Sequence, residues 1–242
     1  MNLVIPMASP RESSRATGGL PLYLHSFHGT TLLEYTIALV RRLISAEDRV
    51  IFVMDEADAD EFRMRRVVDV SLPGASVVTT KAPTQGALCT VLLTVDHLLP
   101  EEPLLIVGAN ALHRGLPATL ASALADNEAE AMTWVFRSVN PRLSFVRMTD
   151  DGRVLEASEK HPISDVATTG IFLFRSARRF LDAAFVVIKK EWHTKGHYFV
   201  APVLNELIFR GDVVRATSVS SRPPIFFSGD ERAPSFRQEP RP

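Results

Sequence analysis

The sequence predicts an α/β protein: a mostly parallel, mixed sheet with helices on both faces. Short apolar runs alternate with amphipathic helical segments through the first half of the chain, and the runs at residues 3–7, 50–54, 76–80 and 104–107 are strand-like. The first of them, LVIPM, turns at once into the polar stretch ASPRESSR, as a buried strand does when it opens into a ligand-binding loop. Such alternation favours parallel strands covered on both sides by helices.

Residues 3–7 are the first buried strand. Residues 31–44 are a helix with a broad apolar face of Leu32, Leu33, Tyr35, Ile37, Leu39, Val40 and Leu43. Residues 50–54 form the second strand, 58–68 a strongly charged helix and 76–80 a β-branched strand. Residues 84–98 open on Thr84 as a cap and then run apolar as one helix. A strand at 104–107 ends at Gly108, an Ala-rich helix covers 116–127 and a strand covers 132–137. Beyond residue 140 the pattern changes, with 145–148 and 154–158 flanking an Asp150-Asp151-Gly152 turn as a hairpin. An apolar strand at 170–174 follows, then a helix at 176–190 capped by Ser176. A helix at 200–210 has Pro202 in its first turn and Gly211 at its end, and 213–219 is the last strand. Pro, Arg and Ser dominate from Arg222 on. The chain shows no repeat and no linker, so residues 1–230 are expected as one domain and 231–242 as a disordered tail.

Apolar residues at 46% and charged residues at 23% are the balance of an ordinary globular protein. A net charge of -1 supplies no global field for nucleic acid or anionic membrane, and no apolar run is long enough to span a bilayer. Neither is an expected partner. Cys89 is the single cysteine and lies in an apolar run, where a buried inert thiol is expected rather than a nucleophile. No positively charged stretch precedes the first apolar run, so no secretory signal is expected and the location read from the sequence is cytoplasmic. The histidines show no zinc spacing. Asp55-Glu56 and Asp58-Ala59-Asp60, the candidates for a glycosyltransferase-type acidic metal motif, read as solvated surface.

Five segments then occur in a telling order. They are Val4-Ile5-Pro6-Met7-Ala8; Leu20-Pro21-Leu22-Tyr23-Leu24 running through Gly29 to Leu33-Glu34; and Thr84-Gln85-Gly86-Ala87-Leu88-Cys89-Thr90. Glu159-Lys160 follows, ahead of Ile163-Ser164-Asp165 and Thr169-Gly170-Ile171, and last comes the stretch from His197-Tyr198-Phe199 through Pro202 to Asn205-Glu206-Leu207-Ile208. In order and spacing the set resembles the sugar-phosphate nucleotidylyltransferase family, and more narrowly its small bacterial members tied to capsule and lipopolysaccharide precursor synthesis. The resemblance implies a Rossmann-like, nucleotide-diphospho-sugar transferase fold with a nucleotide-binding half at 1–140 and a substrate half at 141–230. It implies transfer of a nucleotidyl group from a nucleoside triphosphate to a sugar phosphate or similar small phosphate, with release of pyrophosphate. Mg2+ is the implied cofactor of an active enzyme, and a homo-oligomer is left open.

Residue by residue, the resemblance assigns Ala8, Ser9, Gln85, Gly86, Gly108 and Asn110 to the nucleotide, and Glu159, Gly170 and Asn205 to the substrate. Arg11, Arg15 and Lys160 are the expected catalytic cations. The residue chemistry agrees in part: glycine at 86 lets backbone approach a flat ring, and the Gln85 amide can bond a base edge. A plain Thr-capped helix start is the alternative at 84–90, and a helix surface pair the alternative for Asn205 and Glu206.

The departures are as informative. Where the family loop carries G-x-G-x-R, this chain has Ser9-Pro10-Arg11-Glu12-Ser13, which removes both glycines and adds a carboxylate. Leu22 stands at the family's lysine, and Asn110 at the aspartate that holds the metal, where a neutral amide is a poor ligand for a hard cation. Two functions follow: an active nucleotidylyltransferase, or a catalytically degenerate homologue that binds nucleotide or sugar phosphate in a regulatory or assembly role.

Overall fold

The computed structural model describes residues 1–8, 20–27, 29–112, 116–219 and 224–226. Ser9, Arg11 and Arg15, and the tail expected at 231–242, lie outside the described residues.

Nine strands form one mixed sheet. They are β1 (Asn2–Pro6), β2 (Arg49–Asp55), β3 (Ser76–Thr80), β4 (Leu104–Val107), β5 (Ala131–Arg137), β6 (Ser144–Met148), β7 (Val154–Glu159), β8 (Val166–Phe174) and β9 (Val214–Ser218). The helices are α1 (Leu32–Leu43), α2 (Glu56–Glu61), α3 (Met64–Ser71), α4 (Ala87–Leu92), α5 (Leu116–Ala125), α6 (Ala177–Lys189) and α7 (Ala201–Phe209). The first four strands lie in the order β3-β2-β1-β4 and every pairing among them is parallel. Their C-terminal ends therefore emerge on one side, the side where open α/β sheets bind ligands. β8 runs antiparallel to β4, β5 and β6, and the β6–β7 hairpin expected from the Asp-Asp-Gly turn closes the far edge.

Helices cover both faces. On one, Val4, Ile51, Val53 and Ile106 pack with Leu88 and Val91 of α4, Phe180 and Val187 of α6, and Leu204 and Leu207 of α7. On the other, Leu3, Ile5, Phe52 and Leu105 pack with Ile37 and Val40 of α1, Met64 and Val68 of α3 and Leu120 of α5. Strands buried on both faces lose the polar alternation of a half-exposed strand, which is why LVIPM and VIFVM read as unbroken apolar runs.

Four expectations need correction. Asp55 and Asp58, expected at a solvated surface, are buried, with Asp55 accepting from the Ala57 and Asp58 N–H groups as the cap of α2. The charged helix at 58–68 is two helices, because Arg63 takes the left-handed conformation (φ 50°) and breaks the hydrogen-bond ladder. The helix at 84–98 begins at Ala87 and ends at Leu92, since Gly86 is at φ 104°, outside helical space; a short 3-10 turn, Val95–His97, follows. The strand expected at 170–174 starts at Val166, with an irregularity between Thr168 and Phe172 around Gly170. The Pro-, Arg- and Ser-rich end also hides a strand: Ile225–Phe226 pairs with Ala111–Leu112, a partnership too short to leave a periodic signal.

Candidate functional site at the C-terminal ends of the parallel strands

The end of β1 is tied to the Thr84–Thr90 segment by hydroxyl groups. Thr90, fully buried, donates from Oγ1 to the Ala8 carbonyl at 3.1 Å, and its Oγ1 lies 2.6 Å from that of Thr84. Ala8, from which the polar loop departs, and Gln85-Gly86 are thereby brought together. Gln85 itself is exposed, and its side-chain amide makes no hydrogen bond among the described residues, which leaves it available to a ligand.

Gly86 is a glycine for a reason other than a flat ring. A Cβ there would lie 2.3 Å from the Tyr198 carbonyl oxygen and 2.9 Å from its amide nitrogen, at a φ of +104°. The close approach is that of backbone to backbone: Tyr198 N–H donates to the Gln85 carbonyl at 2.7 Å, and Leu88 N–H donates to the Tyr198 carbonyl at 3.1 Å. The sequence assigned Gly86 to a nucleotide base; on the side where a Cβ would stand, the neighbour is Tyr198.

The end of β4 meets β8. Gly108 N–H donates to the Gly170 carbonyl at 3.1 Å. Gly170 has φ +79° and open space where a Cβ would stand, so something larger than a proton fits against that backbone. Beside it Thr168 and Thr169 are buried, with Oγ1 atoms that have no hydrogen-bond partner among the described residues. Asn110 is exposed at the end of this turn. Among the described residues no group of three His, Cys, Asp or Glu side chains is placed to hold a cation. The neutral Asn110 does not make up for a carboxylate, so these residues do not fit a resident magnesium ion.

Residues from the second half of the chain supply the charge. Glu159 ends β7 half-buried, accepts a hydrogen bond from Ser144 Oγ, and is pushed up to about 7 by desolvation, against the pull of that bond and of neighbouring Lys160. Lys160 holds φ +56°, a strained conformation for a side chain with a Cβ, and its Nζ lies 4.5 Å from the centre of the Phe199 ring. Asn205 on α7 spends both ends of its amide on Ala157: Oδ1 accepts from the Ala157 N–H and Nδ2 donates to its carbonyl, each at 2.7 Å. Asn205 thereby braces β7 at Ala157, two residues before Glu159. Glu206 is buried and paired with Lys190 at 2.7 Å, which makes it part of the α6–α7 contact.

Tyr198-Phe199 is the junction that sequence reasoning quoted without assigning to the site. Tyr198 anchors Gln85 and Gly86, and Phe199 carries Lys160. Ser144 left no signal in the sequence, because a lone Ser at a strand start is common. Leu22 packs with Leu32, Tyr35 and Ile225, so where the sequence resemblance would place a lysine there is a small apolar cluster. Burial pushes the half-buried Cys89 thiol up, which keeps it protonated and inert.

No protein-family model and no curated protein matches the sequence. Solved structures do match in fold. The nucleoside-diphosphate-sugar pyrophosphorylase from Vibrio cholerae RC9 superposes with a TM-score of 0.76 at 20% identity, over 93% of this chain and 94% of that one. The inositol-1-phosphate CTP transferase from T. maritima gives a TM-score of 0.67 at 19% identity, over 90% of this chain and 84% of that one. The chain has the fold of these nucleotidyltransferases.

Proposed function

We propose that the protein is a nucleotidylyltransferase-like protein that binds a nucleoside triphosphate and a small phosphorylated acceptor in the cleft at the ends of β1, β4 and β8. The reading rests on one observation above others: the single segment Tyr198-Phe199 holds both Gln85, whose amide makes no hydrogen bond among the described residues, and Lys160, with its ammonium group. In the reaction an acceptor phosphate oxygen attacks the α-phosphorus, the bond to the bridging oxygen breaks, and pyrophosphate leaves. Positioning and charge stabilisation carry such transfers. Lys160 would neutralise acceptor phosphate, while Arg11 and Arg15 would serve the triphosphate. Mg2+ would assist turnover if the protein is active, although the described residues offer it no carboxylate set. A role in surface-polysaccharide precursor synthesis in the cytoplasm accords with the sequence resemblance. Among the described residues no helix is long and apolar enough to cross a membrane.

A second reading, a homologue that binds without catalysing, is favoured by Leu22 in its apolar cluster and by Asn110. Calorimetry with nucleoside triphosphates and sugar phosphates, paired with a pyrophosphate-release assay in Mg2+, separates the two. Binding with pyrophosphate release supports transfer, and binding without release supports the second reading. Failure of both ligand classes to bind overturns both.

A further inference from the structure

We infer that the outer face of α6 is a dimer interface whose partner is a second copy of the same chain, docked antiparallel. Away from the cleft, α6 buries Ala177, Phe180, Ala183, Ala184 and Val187 against the sheet. Its opposite side exposes Arg178, Asp182, Phe185 and Lys189, a spacing of four, three and four residues that keeps all of them on one stripe. Phe185 is 53% exposed in the middle of that stripe. Phe209, 84% exposed at the end of α7, and Trp192, 43% exposed just after α6, extend the apolar surface. α7 is fixed beside α6 by Lys190 to Glu206 at 2.7 Å and by the Arg210 guanidinium to the Asp182 carbonyl at 3.0 Å.

Charge selects the partner. Asp182 and Lys189 form no ion pair among the described residues, and they flank Phe185 almost symmetrically. A two-fold axis near Phe185 sets Asp182 of each copy opposite Lys189 of the other, so the same pair forms twice while the Phe185 rings meet at the axis. Parallel docking would instead set like charges together. A patch that complements its own inverted copy, with an aromatic at its centre, fits a second copy better than an unrelated protein.

Sedimentation over a concentration series tests this on the full chain. The unmodified protein should pass from monomer to dimer as concentration rises. Asp182→Lys alone, and Lys189→Asp alone, should each weaken the dimer about tenfold or more, because each reversal juxtaposes like charges twice. An equimolar mixture of the two variants should regain a dimer, since each then meets its opposite. Both positions are exposed, so circular dichroism should show unchanged folding. A protein that stays monomeric at all concentrations overturns the inference, as does a dimer that neither reversal weakens or a mixture that fails to re-form one.

Discussion

The two groups of residues joined at the candidate site are built from opposite materials. Around Ala8, Thr84–Thr90 and Gly108–Asn110, the described residues hold the site with hydroxyls, backbone and small side chains, and offer no fixed charge to a phosphate. Across the Tyr198-Phe199 junction stand Glu159 and Lys160, one pushed up by burial and the other held over an aromatic ring in a strained backbone. The contrast teaches that a shared fold does not carry its chemistry uniformly. Packing keeps a scaffold in place, whereas the charges used in transfer depend on single side chains that can be lost without unfolding it. Here one group of residues carries an ionisable pair, Glu159 and Lys160, while at the other Leu22 and Asn110 stand where the sequence resemblance would place a lysine and an aspartate.

The strongest way to break the comparison is at the junction. Gly86→Val places side-chain carbon against the Tyr198 backbone, 2.3 Å from its oxygen, in a left-handed conformation. Strain and collision together should cost about 3 kcal/mol or more. Urea denaturation measures it, and a variant as stable as the parent would show that Tyr198 is not held as described.

Glu159 sharpens the other group of residues through pH. Its carboxyl lies higher in the folded chain (about 7) than its ordinary 4.5, so the folded state binds the extra proton. That contribution to stability is fully present below about 4.5 and is lost as pH rises through about 7. At 1.4 kcal/mol per pH unit of difference, the decline has an upper bound of about 3 kcal/mol. Glu159→Gln should flatten the stability profile across this window; an unchanged slope would assign the decline to other groups.

Thr90→Val removes the hydroxyl that serves the Ala8 carbonyl and Thr84, and should cost about 1–3 kcal/mol by leaving buried polar atoms unpaired. Hydrogen exchange should quicken at the end of β1 before the rest of the sheet. The smallest effect has the opposite sign. Lys160→Gly relieves the φ of +56° and should gain up to about 1 kcal/mol of stability while weakening sugar-phosphate binding. Stability and affinity moving in opposite directions, by denaturation and calorimetry, would mark a residue strained for function.

Much of this fold was legible. Strands buried on both faces announce themselves as unbroken apolar runs, and Ser76–Thr80 and Leu104–Val107 fall where the sequence sets them. Thr31 and Ser176 cap their helices as residue type suggests, Thr31 in a reciprocal pair with Glu34. The break at Arg63 was not legible, because an arginine carries no local preference for the left-handed conformation that tertiary packing imposes. At the site, glycine at 86 signalled a close approach but not the identity of what approaches. Asn205 read equally well as a ligand contact or a surface group, and only the paired bonds to Ala157 show it bracing a strand. Ser144, an ordinary residue in sequence, matters because the hairpin register sets it against Glu159.

The rate of pyrophosphate release tests the central contrast most directly. With Mg2+, saturating triphosphate and a saturating sugar phosphate, loss of even one well-placed charge should lower turnover by about 100-fold or more from the ordinary enzyme scale of about 10 per second. A rate of about 0.1 per second or less, with sugar-phosphate binding that depends on Lys160, is the predicted result. Turnover near about 10 per second would contradict the account, and would mean that the site carries charge the described residues do not supply.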